Sequence, residues 1–305
     1  MQPNFLIIGP PKCASTSLHH YLGQHPEIYV SEEKETNFFT KDYNKGLEFY
    51  EKYFANAGNA KAIGEATPSY SFLPFAADRI QKSYPDIKLI LCFRNPVERA
   101  FSNWLMLWDA GVEKAGFKDA IQINLKQTAY INFEGENGAT VFNSREDNID
   151  AGEKWVRTYL QAGMYAQILI NYYKSFPKEN IKIIYLEDIN KKRDETLKEI
   201  FTFLGVDDNF SVPSVEEQNY YYNRKIFRVL NGIIGVKNTR QIAKLLPENI
   251  KTIFKQKKGS AQEIPVLPND DRLFLWNYYK DDIQELEKIT RKNFAHWAPK
   301  QVAGI

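Results

Sequence analysis

The stretch Phe5-Leu6-Ile7-Ile8-Gly9-Pro10-Pro11-Lys12-Cys13-Ala14-Ser15-Thr16-Ser17-Leu18 decides the fold. Phe5 to Ile8 is a continuous apolar run, the signature of a short strand buried on both faces. Gly9 to Ser15 interrupt it. From Thr16 the pattern turns helical, with Leu18, Tyr21 and Leu22 on one face and Gly23 as the stop. A strand followed by a small-residue loop and a helix sets unpaired helix-start N–H groups, backed by the helix dipole, at a strand end. That arrangement binds anions. Ser15, Thr16 and Ser17 add hydroxyl donors, and Lys12 adds a full positive charge. The loop is not a Walker A loop, which ends in Gly-Lys-Ser/Thr; Ser15-Thr16-Ser17 stands there instead.

The alternation continues outward. Leu47 to Phe54 reads as helix, and Lys61 to Gly64 as a short strand leading into Glu65-Ala66-Thr67-Pro68. Phe75 to Tyr84 is helical and Lys88 to Phe93 is a second buried-type strand. Arg94-Asn95-Pro96 then starts a helix, with Asn95 as N-cap, Pro96 at the first helical position and Glu98 completing a capping box. Ala100, Phe101, Trp104 and Leu105 follow at helical spacing and read as core. After Gly111 the pattern lapses until about Glu153. Residues 130–150 are polar and hold Gly135 and Gly138, with Gly152 just beyond, so 111–152 reads as a lid or acceptor loop. A helix over Trp155–Tyr173, a strand over Ile181–Leu186, a helix over Asp194–Leu204 stopped by Gly205, and a helix over Leu273–Ile289 complete the pass. Such alternation predicts an α/β, P-loop-like three-layer fold with a central, mostly parallel sheet flanked by helices. Ligands then bind beyond the C-terminal strand ends, where the Gly9–Ser17 and Arg94–Ser102 loops both emerge.

The 305 residues are 43% hydrophobic and 26% charged, which excludes a disordered, collagenous or coiled-coil chain. Net charge is +2, so no nucleic acid is expected as partner. The charge is uneven: residues 224–258 hold ten Lys/Arg against Glu248, a segment charge of +9 that leaves −7 for the rest. This basic stretch lies in an expected helical insertion at 213–262. It reads as a solvated face over the core, or as a platform for an anionic acceptor or membrane surface. Cys13 and Cys92 sit in apolar surroundings, unlike a secreted disulfide scaffold. No apolar run reaches the roughly 20 residues needed to span a bilayer, and Met1-Gln2-Pro3-Asn4 is not the start of a signal peptide. A soluble, cytoplasmic protein is expected. The four His and two Cys lack zinc spacing, so no metal is expected.

Phe5 to Leu22 resembles the 5′-phosphosulfate loop of sulfotransferases that use 3′-phosphoadenosine 5′-phosphosulfate (PAPS). Arg94-Asn95-Pro96-Val97-Glu98-Arg99-Ala100-Phe101-Ser102 resembles that family's 3′-phosphate motif, in the family's order and at about its spacing. Lys34-Glu35-Thr36-Asn37-Phe38-Phe39, Gly64 to Tyr70, Gly163 to Ala166, Lys257-Lys258-Gly259 and Tyr278 to Trp297 are similar to blocks of the heparan-sulfate-type branch. The resemblance runs along nearly the whole chain and is vaguest at 110–150 and 210–265. The absence of an anchor and of a lumenal disulfide pair points to a stand-alone bacterial member.

The resemblance implies one sulfotransferase domain over 1–305, with PAPS as co-substrate. Lys12, Cys13, Ala14, Ser15, Thr16 and Ser17 would cradle the 5′ side, with Lys12 neutralising charge on the leaving oxygen. Arg94 and Ser102, about two helical turns apart, would hold the 3′-phosphate. Lys257, Lys258 and Gly259 would close over the nucleotide. Glu65, after a strand and before Thr67-Pro68, is the expected general base, since an attacking alcohol must lose a proton. Lys34 is expected to line the acceptor side, and Arg99 to be structural. The acceptor is a hydroxyl or amine of a small molecule, lipid or carbohydrate. A P-loop kinase-like phosphotransferase and a non-catalytic basic scaffold for a membrane or polyanion are the alternatives.

Overall fold

The structure, a computed structural model, describes residues 1–145, 155–213, 220–222, 255–257 and 265–299. Its centre is a five-stranded sheet of β1 (Phe5–Gly9), β2 (Ile28–Val30), β3 (Ala62–Ala66), β4 (Lys88–Phe93) and β5 (Ile181–Tyr185). The strand order is β2-β3-β1-β4-β5 and every pairing is parallel. The helices are α1 (Ser15–Leu22), α2 (Leu47–Glu51), α3 (Pro74–Ser83), α4 (Pro96–Asp109), α5 (Phe117–Thr128), α6 (Gly135–Ser144), α7 (Tyr165–Ser175), α8 (Leu186–Lys191), α9 (Arg193–Leu204) and α10 (Asn269–Thr290).

Strand alternation sorts the core into two layers. Leu6, Ile8, Ile63, Leu89, Leu91 and Phe93 face one cluster, filled by side chains of α2, α3, α4, α7 and α10. Phe5, Ile7, Ala62, Ala66, Ile90 and Cys92 face the other, filled from α1, α8 and α9. The α/β three-layer expectation holds. A Cβ on Gly64 would fall 2.3 Å from the Phe5 carbonyl oxygen, so only glycine lets β3 lie this close against β1.

Three local readings change. First, β3 runs on to Ala66 rather than stopping at Gly64, so Glu65 is a strand residue. Second, the expected 111–152 loop contains α5 and α6. Buried amides masked the apolar pattern of α5: Asn124 and Gln127 point inward and act as backbone partners. Asn124 Nδ2 donates to the Arg157 carbonyl and Gln127 Nε2 to the Trp155 carbonyl, both at 2.9 Å. Third, α7 begins at Tyr165 rather than Trp155. The same two amides explain the delay, because Arg157 N–H donates to Gln127 Oε1 and Leu160 N–H to Asn124 Oδ1, each at 2.9 Å. A residue committed this way is drawn out of helical pairing.

The C-terminal helix locks this region. Asp282 on α10 accepts from the N–H groups of Ala166 at 3.0 Å and Gln167 at 3.2 Å, capping α7 from outside its own segment. Tyr279 donates its hydroxyl toward the carbonyls of Tyr159 and Leu160, 3.2 Å from each. Within the expected 213–262 insertion, β6 (Tyr220–Tyr222) pairs antiparallel with β7 (Lys255–Lys257). The helices expected there lie outside the described residues, as do Lys258 and Gly259. Among the described residues, no helix is long and apolar enough to cross a membrane.

Candidate functional site

The β1–α1 loop is built from unusual backbone. Gly9, Lys12 and Ala14 have φ of 107°, 71° and 63°. At Gly9 a Cβ would fall 2.4 Å from the Pro68 carbonyl oxygen. Lys12 and Ala14 hold a left-handed conformation that disfavours side chains. Ala14 occupies the N-cap of α1 without a side-chain cap. The Leu18 N–H closes onto the Ala14 carbonyl at 2.9 Å. The N–H groups of Ser15, Thr16 and Ser17 precede that closure and have no intrahelical acceptor, which makes them anion donors. Thr16 is exposed, Ser17 half-buried and Ser15 buried. Cys13 is fully buried with Sγ 3.7 Å from the Tyr165 hydroxyl, and burial pushes its thiol up to about 11. Its side chain therefore packs, and only its backbone is available to a ligand.

Lys12 is half-buried, with Nζ 3.7 Å from Met106 Sδ on α4. Burial first, and the Arg94 guanidinium second, hold its pKa below the ordinary lysine value; the fields of Lys34 and Glu35 also reach it. Arg94 Nη1 donates to the Lys12 carbonyl at 3.4 Å, tying the loop to the start of α4. Asn95 caps α4 as expected, accepting from the N–H groups of Val97 at 3.0 Å and Glu98 at 3.5 Å. The capping box is not closed, because the Glu98 carboxylate pairs with Arg272 of α10. Asn95 also donates to the Trp297 carbonyl at 2.9 Å. Ser102, half-buried, lies two turns along α4. Arg99 is fully buried and bonds Asn103 Oδ1 and the Tyr159 carbonyl, a structural placement.

A second strained loop stands beside the first. Lys34 Nζ lies 2.7 Å from Glu35 Oε1, and the two side chains are 23% and 50% exposed. Glu35 and Asn37 have φ of 64° and 54°. Of five described non-glycine residues with positive φ, Lys12, Ala14, Glu35 and Asn37 all belong to these two loops; the fifth is Arg291. Strain of this kind clusters at active sites and ligand clamps.

Glu65 is placed differently from the sequence expectation. The extension of β3 gives Glu65 the inward orientation of Ile63, and it is 0% exposed among Tyr50, Thr67 and Tyr70. Its Oε2 accepts from the Thr67 hydroxyl at 2.7 Å and its Oε1 from the Tyr50 hydroxyl at 3.4 Å. Burial pushes its pKa up to about 7, against the opposing pull of hydroxyl hydrogen bonds from Thr67, Thr36, Tyr70 and Tyr50. Its carboxylate is closed over by these hydroxyls in this conformation. Glu35 pairs with Lys34, and its field reaches Lys12. Glu35 stands inside the Lys34–Phe39 block. Of the residues expected at the site, Lys12, Lys34 and Arg94 are brought together. Lys257 lies in β7, and the remaining late-loop residues are outside the described part.

A sulfotransferase domain matches residues 2–258. The chain belongs to the sulfotransferase family. Over 105 residues it is 42% identical to the membrane-associated sulfotransferase kil1 of Dictyostelium discoideum, covering 33% of this chain and 22% of that protein. It is 27% identical over 251 residues to carbohydrate sulfotransferase 15 of Mus musculus, covering 67% and 44%. It is 27% identical over 221 residues to heparan sulfate glucosamine 3-O-sulfotransferase 6 of Mus musculus, covering 72% and 56%. The chain thus spans between about a fifth and just over half the length of these sulfotransferases. The heparan-sulfate-type resemblance of the Lys34–Phe39 and Gly64–Tyr70 blocks agrees with these relatives. The solved structure of a sulfotransferase from Alicyclobacillus acidocaldarius superposes with a TM-score of 0.66 at 23% identity, covering 97% of this chain and 99% of that one, and shares the fold.

Proposed function

We propose that this sulfotransferase moves a sulfuryl group from PAPS to a hydroxyl, or an amine, of a carbohydrate acceptor, with Glu65 taking the acceptor's proton. The observation that carries the reading is the convergence of Lys12, Lys34, Glu35 and Arg94 on an anion-binding strand–loop–helix turn. The donor set fits a polyanion: helix-start N–H groups, three hydroxyls and a lysine whose burial makes a bound anion the natural compensation. PAPS, when bound, supplies an activated sulfuryl group and a good leaving group, adenosine 3′,5′-bisphosphate. The residues from Lys12 to Ser17 would hold its 5′ side, and Arg94 and Ser102 its 3′-phosphate through Arg94's planar fork. Lys257, Lys258 and Gly259 remain the proposed closing contacts. Lys12 holds positive charge where negative charge develops on the leaving oxygen.

Glu65 stands at the C-terminal end of β3, and burial raises its pKa to about 7, the range suited to taking a proton. Lys34, in contact with Glu35, lines the acceptor side. A carbohydrate is favoured over a lipid or another small molecule because two of the relatives are named for carbohydrate sulfation. The +9 stretch at 224–258 supports an anionic one. We assign the reaction to the cytoplasm, a reading supported by two free, buried thiols. The family match leaves the kinase alternative without support.

The test offers PAPS and heparan-type oligosaccharides to the full chain and follows sulfate incorporation by mass. Glu65→Gln should keep affinity for adenosine 3′,5′-bisphosphate while turnover falls roughly 10²–10⁴-fold, the worth of a positioned base. Undiminished turnover in that variant removes Glu65 from the mechanism. Failure to bind the nucleotide in calorimetry removes PAPS.

A further inference from the structure

Three arginines of the described residues are buried: Arg79, Arg99 and Arg157. Two of them face a carboxylate, Arg79 with Glu136 and Arg157 with Glu113, each at 2.7 Å. Arg99 has none among the described residues. Its Nη1 donates to Asn103 Oδ1 at 3.3 Å and its Nη2 to the Tyr159 carbonyl, and both of those acceptors are neutral. Its Nε is buried without an acceptor. Glu98 of the same turn is paired with Arg272. Glu187, whose field also reaches Cys13, accepts from Trp297 Nε1 at 2.9 Å. Arg99 is 0% exposed, so water does not solvate its charge either. A cation held this way is a large cost to the fold.

Its position adds to that cost. Arg99 is the fourth residue of α4, and a cation in the first turn stands at the positive end of the helix dipole. The same position shows what offsets the cost. Arg94 comes just before α4 and Ser102 lies within it, and Arg99 falls between them. Arg99 and Ser102 are three residues apart, so their Cβ atoms are neighbours on the helix surface, about 5–6 Å from each other. On its other side the guanidinium faces the β1–α1 loop. Its field falls on Cys13, in the middle of the cradle, more strongly than that of Arg94. It also reaches Tyr165, whose hydroxyl lies 3.7 Å from Cys13 Sγ.

We propose that Arg99 is a positioning residue for the nucleotide: a fixed, water-free positive charge without an internal counter-ion, whose counter-charge is the polyanion received by Arg94, Ser102 and the Lys12–Ser17 cradle. This rests on the reading of PAPS as donor. Arg99 does not touch the ligand. It acts across Cys13 and through the first turn of α4, and a preorganised charge in a dry site attracts an anion more strongly than one in water. Affinity for the anion thus gains what the stability of the chain gives up.

The experiment compares Arg99→Met, Arg99→Gln and Arg99→Lys in the full chain. It reads adenosine 3′,5′-bisphosphate affinity by calorimetry at low and high salt, and urea unfolding without nucleotide. Both neutral variants should bind the nucleotide about 10–100-fold more weakly, and Arg99→Lys should recover most of the loss. Arg99→Met should be at least as stable as the wild type, because an apolar side chain of similar length replaces an unpaired charge. The ratio of variant to wild-type affinity should persist at high salt, since buried charges are screened little. Wild-type affinity in the neutral variants overturns the proposal, whatever their stability. So does an Arg99→Lys variant that binds no better than Arg99→Met, or a ratio that vanishes at high salt. A wild-type chain that does not bind the nucleotide removes the PAPS reading by itself. The comparison is then read with inorganic pyrophosphate, where weaker binding by Arg99→Met upholds the role of Arg99 and no difference overturns it.

Discussion

Replacing Glu65 by Gln should stabilise the protein at neutral and higher pH, and the structure gives the size of the gain. The carboxyl is 0% exposed, faces hydroxyls rather than a cation, and titrates at about 7 instead of its ordinary 4.5. Its folded-state pKa is raised. Between those two values the folded chain keeps a proton that the unfolded chain has released, so stability falls as pH rises through the window. The contribution is whole below about 4.5 and lost above about 7. At 1.36 kcal/mol per pKa unit, the ionised form costs about 3 kcal/mol. Gln accepts the Thr67 hydroxyl without a charge and escapes that cost. Urea unfolding of the two proteins should give nearly equal stabilities at the acid end of the window. The variant should lead by about 3 kcal/mol on the alkaline side of 7. A gap that is constant across the window refutes the reasoning, since it would mean that Glu65 is no more buried when folded than when unfolded.

Lys12→Ala should lower single-turnover transfer roughly 10²–10³-fold, as expected for removing a preorganised charge at a developing oxyanion; a loss confined to KM would speak against that role. The lowered pKa of Lys12 means that its charge disappears at lower pH than that of an exposed lysine. An alkaline limb of the rate profile should therefore move upward in Lys12→Arg. Arg94→Ala should weaken adenosine 3′,5′-bisphosphate binding about 10–100-fold in calorimetry, through the lost phosphate contact and the freed Lys12 carbonyl. Glu113→Ala removes the carboxylate from a fully buried pair with Arg157, 2.7 Å apart, and should cost about 3–5 kcal/mol in unfolding experiments.

What the sequence showed depended on whether a residue's neighbours lay close along the chain. β1, its loop and α1 were readable because an apolar run, a turn and a helical stripe follow one another within a few residues. The same holds for β4 and the Asn95 cap. Arg94 and Lys12 followed from those frames. α5 was hidden because two of its inward positions, Asn124 and Gln127, are amides whose partners are backbone groups some thirty residues away. The start of α7 was misjudged for the same reason. Glu65 depended on where β3 ends. A strand reaching Ala66 rather than Gly64 turns an edge residue into a core residue, and Glu65-Ala66-Thr67 alone does not fix that boundary. Glu35 carried a signal, its place in a charged block before two phenylalanines. Its nearness to Lys12 belongs to the fold.

The contacts that α10 and the residues after it make with α4 bear on the order in which the site is assembled. The family match ends at residue 258, yet Arg272 holds Glu98 and the Trp297 carbonyl holds Asn95, on either side of the turn that presents Arg94. During synthesis the parallel sheet and the β1–α1 loop can form long before those partners leave the ribosome. The arginine end of the nucleotide site is fastened only when residues 269–297 arrive. A nascent chain thus has half of an anion site before it has a nucleotide site.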